Sequence, residues 1–248
     1  MLFENKVVIV TGSSAGIGKA TALAFAREGA TVITNSRSEC TVSEEIEALG
    51  GCSVFVKADV STEQGAKTLV ERAVECFGKI DIVANIAGIV PEGSVETCDE
   101  DEWDRVMQIN AKSVYLMSHY SIPYLRQTKG CIVNITSTVA IKGVANRASY
   151  SASKGAVLSL SRSMAIEYVK EGIRVNCVCP GTVLSPSFEK RVMNTQEPEK
   201  AMENYISRQP MGRLGKPEEI AQAVLFAANP EVGFMTGANI IVDGAMTV

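Results

Sequence analysis

The sequence predicts an α/β fold, with one domain built on a parallel sheet that helices cover on both faces. Short β-branched runs alternate with helical segments of about ten or more residues, a pattern typical of parallel strands joined by helical crossovers. The first run, Val7–Val10, is apolar throughout, as expected for a strand buried on both faces. No linker or repeat divides the 248 residues, so we expect one domain spanning 1–248.

Seven segments are predicted to be strands because they are short and rich in β-branched residues. They lie at about 6–12, 30–36, 53–60, 80–88, 130–137, 173–181 and 237–245. The first strand ends at a glycine, and the fourth runs into a turn of small residues. Together these segments make up the predicted sheet.

Five segments between the strands are predicted to be helices. They lie at about 21–29, 41–49, 62–77, 99–125 and 149–172. The first is amphipathic and stops at Gly29, and the last ends at Gly172. We expect the fourth helix to be bent near Asn110.

The stretch from Thr182 to Asn229 departs from this alternation. It is long, polar and rich in helix-forming residues. We interpret it, at about 182–229, as an insertion or lid over the carboxyl edge of the sheet.

Global composition excludes several classes of function. With 24 basic and 28 acidic residues the net charge is −4, whereas general nucleic-acid binding needs a basic face. The amino-terminal apolar run is too short for a signal-peptide core, and no stretch approaches the ~18 apolar residues of a membrane span. We therefore expect a cytoplasmic protein that binds neither nucleic acid nor membrane.

Cysteine and histidine usage agrees with this interpretation. The seven cysteines are odd in number and contain no C-x-x-C pair, so free thiols in a reducing cytoplasm are the simplest interpretation. The single histidine, His119, excludes a site built from two or more histidines, and we expect it to have a packing or surface role. No metal site is predicted.

A glycine-rich turn, "TGSSAGIG" at 11–18, follows the first strand and opens a helix. Its glycines allow a tight turn and close approach of the backbone to a pyrophosphate, while the helix amino terminus offers free N–H groups. A plain strand-to-helix turn would also fit, but the position after the first strand of a βαβ unit favours a dinucleotide. The residues assigned to the cofactor here are Gly12, Ser13, Ser14, Gly16, Ile17 and Gly18.

The end of the second strand predicts which dinucleotide binds. NAD sites usually place an acid there, roughly 20 residues after the glycines, to bind the ribose 2′-hydroxyl. This chain has Ser36 and Arg37, a hydroxyl and a guanidinium that suit a 2′-phosphate, so NADP is favoured. NAD stays open, because Glu39 is a nearby acid and no basic residue lies in the glycine turn. Arg37 could also stack on adenine or face solvent.

Tyr150 and Lys154 are four residues apart in a predicted helix, so they project from one face. Hydride transfer to a carbonyl creates an alkoxide that needs a proton, and oxidation needs the reverse. A tyrosine with a pKa of ~10 is a poor base at neutral pH, and a nearby ammonium is expected to lower that pKa. On its own, such a pair is more often a surface aromatic beside a charge.

Taken in order, the motifs resemble the short-chain dehydrogenase/reductase family over nearly the whole chain. The matching segments are "TGSSAGIG" (11–18), "ADV" (58–60), "NIAG" (85–88), Asn110, Ser137, "YSASK" (150–154), "PG" (180–181) and "TGANIIVDGA" (236–245). The chain departs from the family pattern at Ile86, where the family has asparagine, and at Ala245, where it has glycine. Neither departure touches the reacting groups.

The resemblance implies a doubly wound Rossmann fold with seven parallel strands, an NAD(P)-dependent oxidoreductase acting on a secondary alcohol or ketone, and a homotetramer. It implies that Ser137 holds the substrate oxygen, that Asn110 supports Lys154 through a water, and that Lys154 also binds the nicotinamide ribose. Further cofactor contacts implied are Asp59 and Val60 at the adenine, Asn85, Ala87 and Gly88 at the adenosine ribose, and Pro180, Gly181, Val183 and Ser185 at the nicotinamide.

Three arginines suggest that the substrate carries a carboxylate. Arg147 precedes the catalytic helix, and the lid contributes Arg191 and Arg208; guanidinium groups bind carboxylates through paired hydrogen bonds. The segments "NRASY" and "PGTVLSPSFEKR" resemble a subgroup acting on small hydroxy acids and sugar acids, including cytosolic 3-hydroxybutyrate dehydrogenases. That subgroup generally uses NAD. The alternative is that these arginines pair with glutamates of the lid.

Two other functions stay open. A 3-oxoacyl-thioester reductase of fatty-acid synthesis has the same chemistry, but its acidic carrier needs a basic docking patch, and the sequence shows no compact lysine/arginine cluster. A cofactor-binding regulator that has lost catalysis is disfavoured by the intact set of Ser137, Tyr150 and Lys154.

Overall fold

A seven-stranded parallel sheet forms the centre of the protein, whose residues 1–248 are all described by a computed structural model. The strand order is β3-β2-β1-β4-β5-β6-β7, so the chain returns to the middle of the sheet between β3 and β4. The predicted doubly wound fold is therefore confirmed. The strands are β1 Val7–Val10, β2 Thr31–Ser36, β3 Cys52–Lys57, β4 Ile82–Asn85, β5 Cys131–Ile135, β6 Arg174–Pro180 and β7 Asn239–Val242.

Every predicted helix is present. The helices are α1 Gly16–Arg27, α2 Val42–Ala48, α3 Glu63–Phe77, α4 Glu100–Met107, α5 Ser113–Thr128, α6 Ala148–Tyr168, α7 Pro186–Met193, α8 Pro198–Ser207 and α9 Pro217–Ala228. A π-helical turn, Gln108–Lys112, joins α4 to α5 and is the irregularity predicted near Asn110. None of the helices has the length and apolar character needed to cross a lipid bilayer.

The side chains of each strand alternate between two apolar layers. Val8 and Val10 of β1 pack into the layer formed with α1, α2 and α9, whereas Val7 and Ile9 pack into the layer with α3, α5 and α6. Burial on both faces explains why the strand sequence is apolar throughout. Because all strands are parallel, their carboxyl ends meet at one edge of the sheet.

The predicted lid contains two kinds of structure. α7 and α8 pack on each other through a small apolar cluster that includes Phe188 and Val192. α9 belongs to the core instead, since Ile220 and Val224 are fully buried in the layer beside α1. Only α7 and α8, with the loops around them, therefore lie beside the carboxyl edge of the sheet.

Candidate active site

A cavity of about 460 Å³ lies at the carboxyl edge of the sheet, where parallel α/β sheets bind their ligands. Its walls come from the turns that follow the strands and from α6, α7 and the end of α8. The predicted residues that line it are Gly12, Ser14, Gly16, Ile17, Gly18, Ser36, Arg37, Asp59, Val60, Ala87, Gly88, Ser137, Arg147, Tyr150, Lys154, Pro180, Gly181, Val183, Ser185, Arg191 and Arg208. Three predicted residues, Ser13, Asn85 and Asn110, do not line it.

The glycine turn is a backbone cradle that no larger residue would fit. Gly12 and Gly16 have positive φ angles of 64° and 54°. A Cβ atom on Gly12 would lie 2.8 Å from the Cα of Ala87, and one on Gly18 would lie 2.1 Å from the carbonyl oxygen of Gly12. α1 begins at Gly16 with no side chain capping its amino terminus, so its first N–H groups are free for an anion. The turn therefore fits the pyrophosphate of a dinucleotide.

The hydroxyl groups of Ser13 and Thr11 bind the glycine turn to neighbouring backbone segments. The buried Ser13 Oγ accepts a hydrogen bond of 2.8 Å from the N–H of Asn35 and donates one of 3.2 Å to its carbonyl, so the hydroxyl does not face the cavity. The Thr11 hydroxyl, missed in the sequence, accepts from the N–H groups of Ile86 (2.9 Å) and Ala87 (3.1 Å). The Thr11 hydroxyl therefore connects the turn after β4 to the glycine turn. In the sequence, only its position directly before Gly12 could have indicated this role.

The end of β2 presents Arg37 to the cavity. Ser36 is buried, and its hydroxyl donates to the carbonyl of Ser38. Glu39, the acid that could have served NAD, instead forms an ion pair of 3.1 Å with Lys57. Arg37 has no such partner, so its guanidinium is the available charge at this end of the cavity.

Asn85 connects strands rather than reaching the cavity. Its Nδ2 donates to Asn134 Oδ1 at 2.8 Å, and Asn134 in turn donates to the Ser161 hydroxyl at 2.8 Å. Asp59 does line the cavity, and its Oδ1 accepts from both the N–H (3.0 Å) and the hydroxyl (2.7 Å) of Ser61. The side chain of Asn85 thus positions β4 beside β5, while that of Asp59 orders the turn after β3.

Tyr150 and Lys154 lie one turn apart on α6, and both face the cavity, as their spacing predicted. They are nearly buried, with 9% and 5% of their surface exposed. Lys154 Nζ donates to the carbonyl of Ile135 at the end of β5, at 2.8 Å. Ser137 follows on the same chain segment and caps a short helical turn. β5 and α6 together therefore bring the three predicted groups to one wall.

Asn110, in the π-helical turn, fixes the loop that passes Lys154. Its Oδ1 accepts from the N–H of Ile89 at 2.8 Å, and its Nδ2 donates to the Ile89 carbonyl (2.9 Å) and the Ser153 hydroxyl (3.1 Å). A Cβ atom on Gly88 would lie 3.1 Å from Asn110 Oδ1 and 3.6 Å from Lys154 Nζ. Asn110 therefore acts on the surroundings of Lys154 and forms no direct hydrogen bond with it.

Burial moves the two titratable groups in ways that the sequence did not show. It raises the pKa of the Tyr150 phenol, against the lowering effects of the Ser137 hydroxyl and of the charges on Arg191 and Arg147. It lowers the pKa of the Lys154 ammonium to about 8. The prediction that Lys154 brings the pKa of Tyr150 below its usual value is thus wrong for the protein alone. At neutral pH the phenol carries its proton.

The three predicted arginines all line the cavity but differ in their partners. Arg147 Nη2 donates to Glu92 Oε1 at 2.8 Å and to the Tyr205 hydroxyl at 2.9 Å. Arg191 and Arg208 make no ion pair and lie over the Tyr205 ring, with their Cζ atoms 5.9 Å and 4.8 Å from its centre. Two of the three guanidinium groups therefore lack a counter-ion.

Glutamates of the lid do not neutralise these arginines. Glu197 pairs with Lys200 at 3.1 Å, and neither Glu189 nor Glu203 forms an ion pair. The carboxylate that does bind Arg147 is Glu92, which is 55 residues away in sequence. Glu92 and Tyr205 were missed in the sequence because neither lies in a motif.

Comparisons with known proteins identify the family. A family model described as enoyl-(acyl carrier protein) reductase matches residues 12–247. An uncharacterized oxidoreductase of Thermotoga maritima is 45% identical over 100% of this chain and 99% of its own length. Dehydrogenase/reductase SDR family member 6 of Rattus norvegicus is 39% identical over 99% of this chain and 98% of its own.

A solved structure agrees with these relatives. Ligand-free aldohexose dehydrogenase from Thermoplasma acidophilum superposes with a TM-score of 0.89 at 34% identity, covering 99% of this chain and 95% of that one. The glycine cradle, the buried tyrosine–lysine pair and the strand order thus occur together in a chain similar to dehydrogenases along its whole length. The protein therefore belongs to the short-chain dehydrogenase/reductase family and is an oxidoreductase that transfers hydride between NAD(P) and a secondary alcohol or ketone.

Proposed function

We propose that this enzyme prefers NADP(H) and acts on a small hydroxy acid, oxo acid or sugar acid. The observation that supports an acid substrate is the pair of guanidinium groups of Arg191 and Arg208, which line the cavity without a carboxylate partner. A substrate carboxylate is the anion that a small alcohol or ketone can offer to both.

Aromatic rings surround the Arg191 guanidinium, and its Nε is buried without a hydrogen-bond partner. The Arg191 Cζ lies 5.3 Å from the centre of the Phe188 ring. The Tyr205 ring contacts the guanidinium groups of both Arg191 and Arg208. Aromatic contacts of this kind orient a guanidinium before a ligand arrives.

Arg191 and Tyr150 line the same cavity, and the positive charge of Arg191 acts to lower the pKa of the Tyr150 phenol. This supports a small substrate whose carboxylate binds Arg191 and whose carbonyl or alcohol reaches Tyr150.

The catalytic roles follow from the geometry of α6 and β5. The bound nicotinamide supplies or accepts the hydride. Tyr150 donates its proton to the substrate oxygen during reduction and takes it back during oxidation, and the Ser137 hydroxyl holds that oxygen beside it. Lys154 places a buried ammonium near the phenolate that remains after proton donation and stabilises its charge. Asn110 positions the loop at Gly88 against Lys154.

The preference for NADP rests on the charges at the end of β2. Arg37 is free to bind a 2′-phosphate, whereas Glu39, the nearest acid, is held by Lys57. An arginine with no acid beside it favours the phosphorylated nucleotide because the 2′-phosphate forms charge-assisted hydrogen bonds.

A 3-oxoacyl-thioester reductase is the second candidate, supported by the description of the matching family model. Its substrate has no free carboxylate, so Arg191 and Arg208 would then stay without a ligand. Replacing them would affect acid and thioester substrates differently, and this separates the two functions. Turnover of any ketone by the purified protein would exclude the alternative of a cofactor-binding regulator that has lost catalysis.

We also propose a homotetramer in the cytoplasm. Ile166, Phe226 and Phe234 expose 78%, 50% and 107% of their surface, and contacts with further copies of the chain would bury this apolar area. All seven cysteines are free thiols, which suits a reducing compartment.

Tyr150→Phe tests the proton donor. We expect kcat to fall about 10²–10⁴-fold, because general acid–base catalysis contributes that much, while the affinity for the reduced nucleotide stays close to wild type. Steady-state kinetics and titration of nicotinamide fluorescence measure the two quantities. Tyr115→Phe, at a half-exposed position on α5, is the control and should leave both unchanged. Normal kcat in Tyr150→Phe would exclude this role.

Lys154→Met tests the buried ammonium through the pH dependence of stability. The pKa of Lys154 is about 8 in the folded protein and 10.5 for an ordinary lysine, so between these values the unfolded chain holds more of this proton. The contribution of Lys154 to the free energy of unfolding therefore rises with pH in that window. We expect the stability of the variant relative to wild type to fall from pH 8 to pH 10.5 in urea unfolding. A constant difference would contradict the lowered pKa.

Arg37→Ala tests the nucleotide preference. We expect affinity for NADPH to fall about tenfold or more, a loss of ~1.4 kcal/mol, because the charge-assisted bonds to the 2′-phosphate are removed. Affinity for NADH should change little, since it has no such phosphate. Glu39→Gln is the matched variant, and weaker NADH binding there would assign the ribose to Glu39 and overturn the NADP preference.

Arg191→Ala and Arg208→Ala test whether these two arginines bind the carboxylate of the substrate. We expect each to raise KM for an acid substrate about tenfold, with little effect on KM for a neutral ketone, because only the acid uses the guanidinium groups. Lys190→Ala, an exposed cation next to Arg191 on α7, is the control. Equal changes for acid and neutral substrates would show that these arginines support α7 and α8 rather than bind substrate.

A further inference from the structure

Glu92, Arg147 and Tyr205 form a closed triangle of hydrogen bonds beside the cavity. Arg147 Nη2 donates to Glu92 Oε1 (2.8 Å) and to the Tyr205 hydroxyl (2.9 Å), and that hydroxyl donates to Glu92 Oε1 (3.1 Å). The three groups come from the loop after β4, the start of α6 and α8. The Arg147 side chain is 8% exposed, whereas that of Glu92 is 51% exposed.

The triangle uses two of the five N–H donors of Arg147, and a backbone carbonyl uses a third. Both Nη2 hydrogens are taken, and Nη1 donates to the Asn146 carbonyl at 2.7 Å. Burial opposes ionisation of Glu92, but the hydrogen bond and charge of Arg147 outweigh it, and the pKa of this carboxyl is lowered. Glu92 is therefore charged at neutral pH, and Arg147 is a cation with its counter-ion in place.

Backbone hydrogen bonds hold Glu92 beside Arg147. The N–H of Gly93 donates to the Asn146 carbonyl at 3.1 Å, and the N–H of Ala148 donates to the Gly93 carbonyl at 3.0 Å. Gly93 and Arg147 form a parallel bridge between these bonds. These bonds fix the backbone of Gly93 against that of Arg147, and this keeps Glu92 within reach of the Arg147 guanidinium.

From this arrangement we infer that Glu92 is a specificity-determining residue that neutralises Arg147 and restricts the site to substrates with one carboxylate. The inference rests on the proposed acid substrate. At the substrate end three guanidinium groups line the cavity, and Glu92 is the counter-ion of one of them, so the charges of Arg191 and Arg208 remain for a ligand. A second carboxylate beside Arg147 would meet the negative charge of Glu92 and a guanidinium with three of its five N–H donors already used, which selects against it.

Two acids of equal chain length test this selection. Succinate and butyrate each have four carbons and differ by one carboxylate, and their dissociation constants can be measured by calorimetry on the protein saturated with NADPH. We expect wild type to bind butyrate more tightly than succinate. Glu92→Gln keeps the size and an acceptor for Arg147 but removes the charge, so the ratio of the two constants should shift about fivefold to tenfold towards succinate.

Two further variants separate charge from shape. Glu96→Gln, an exposed glutamate of the same loop that forms no ion pair, should leave the ratio unchanged. Tyr205→Phe removes two hydrogen bonds of the triangle but no charge, and it too should leave the ratio unchanged. An unchanged ratio in Glu92→Gln, an equal shift in Tyr205→Phe, or tighter succinate binding by wild type would each overturn the inference.

The outcome also distinguishes this inference from the proposed function. If Arg208→Ala weakens butyrate binding while Glu92→Gln leaves the ratio unchanged, the proposal that Arg191 and Arg208 bind the acid is supported. Only the proposed role of Glu92 is then wrong. If neither acid binds wild type, the acid substrate fails and the role of Glu92 fails with it.

Discussion

The contact between two backbone turns, one after β1 and one after β4, determines the shape of the whole site. Gly12 and Ala87 are so close that even one added methyl group would lie 2.8 Å from the facing backbone, and Thr11 bonds both turns together. The next residue, Gly88, passes beside Asn110 and Lys154. The same packing therefore forms the proposed pyrophosphate cradle and fixes the surroundings of Lys154, the proposed catalytic lysine.

Burial of the reacting groups has a chemical consequence. A buried phenol resists losing its proton and a buried ammonium resists keeping its own, so the pKa of Tyr150 rises while that of Lys154 falls to about 8. Reduction starts from a protonated phenol, which is the state present at neutral pH, and creates a phenolate only when the ammonium is nearby to stabilise it. Oxidation needs the phenolate first. In the proposed mechanism, the protein alone therefore holds Tyr150 in the protonation state that reduction uses.

The sequence predicted most of the fold because its signals are local. Short runs rich in β-branched residues marked all seven strands, and the irregularity at Asn110 is a π-helical turn. Features that depend on contacts across the chain were not predictable: the burial of α9 in the core, the inward hydroxyl of Ser13 and the pairing of Glu92 with Arg147. The sign of the pKa change at Tyr150 belongs to this group, because spacing reveals a neighbour but not the extent of burial.

Local pairing explains how a chain with a net charge of −4 can present a basic site. At the nucleotide end, Glu39 forms an ion pair with Lys57 and Asp59 accepts hydrogen bonds from Ser61, whereas Arg37 forms no ion pair. The acid nearest the substrate end, Glu92, binds an arginine of the cavity itself, and this reduces three cations to two. The pairing of Glu39 with Lys57 preserves the attraction of Arg37 for an anion. The pairing of Glu92 with Arg147 reduces the positive charge at the substrate end. The position of each acid relative to the wall, rather than the total charge, therefore determines which anions the cavity accepts.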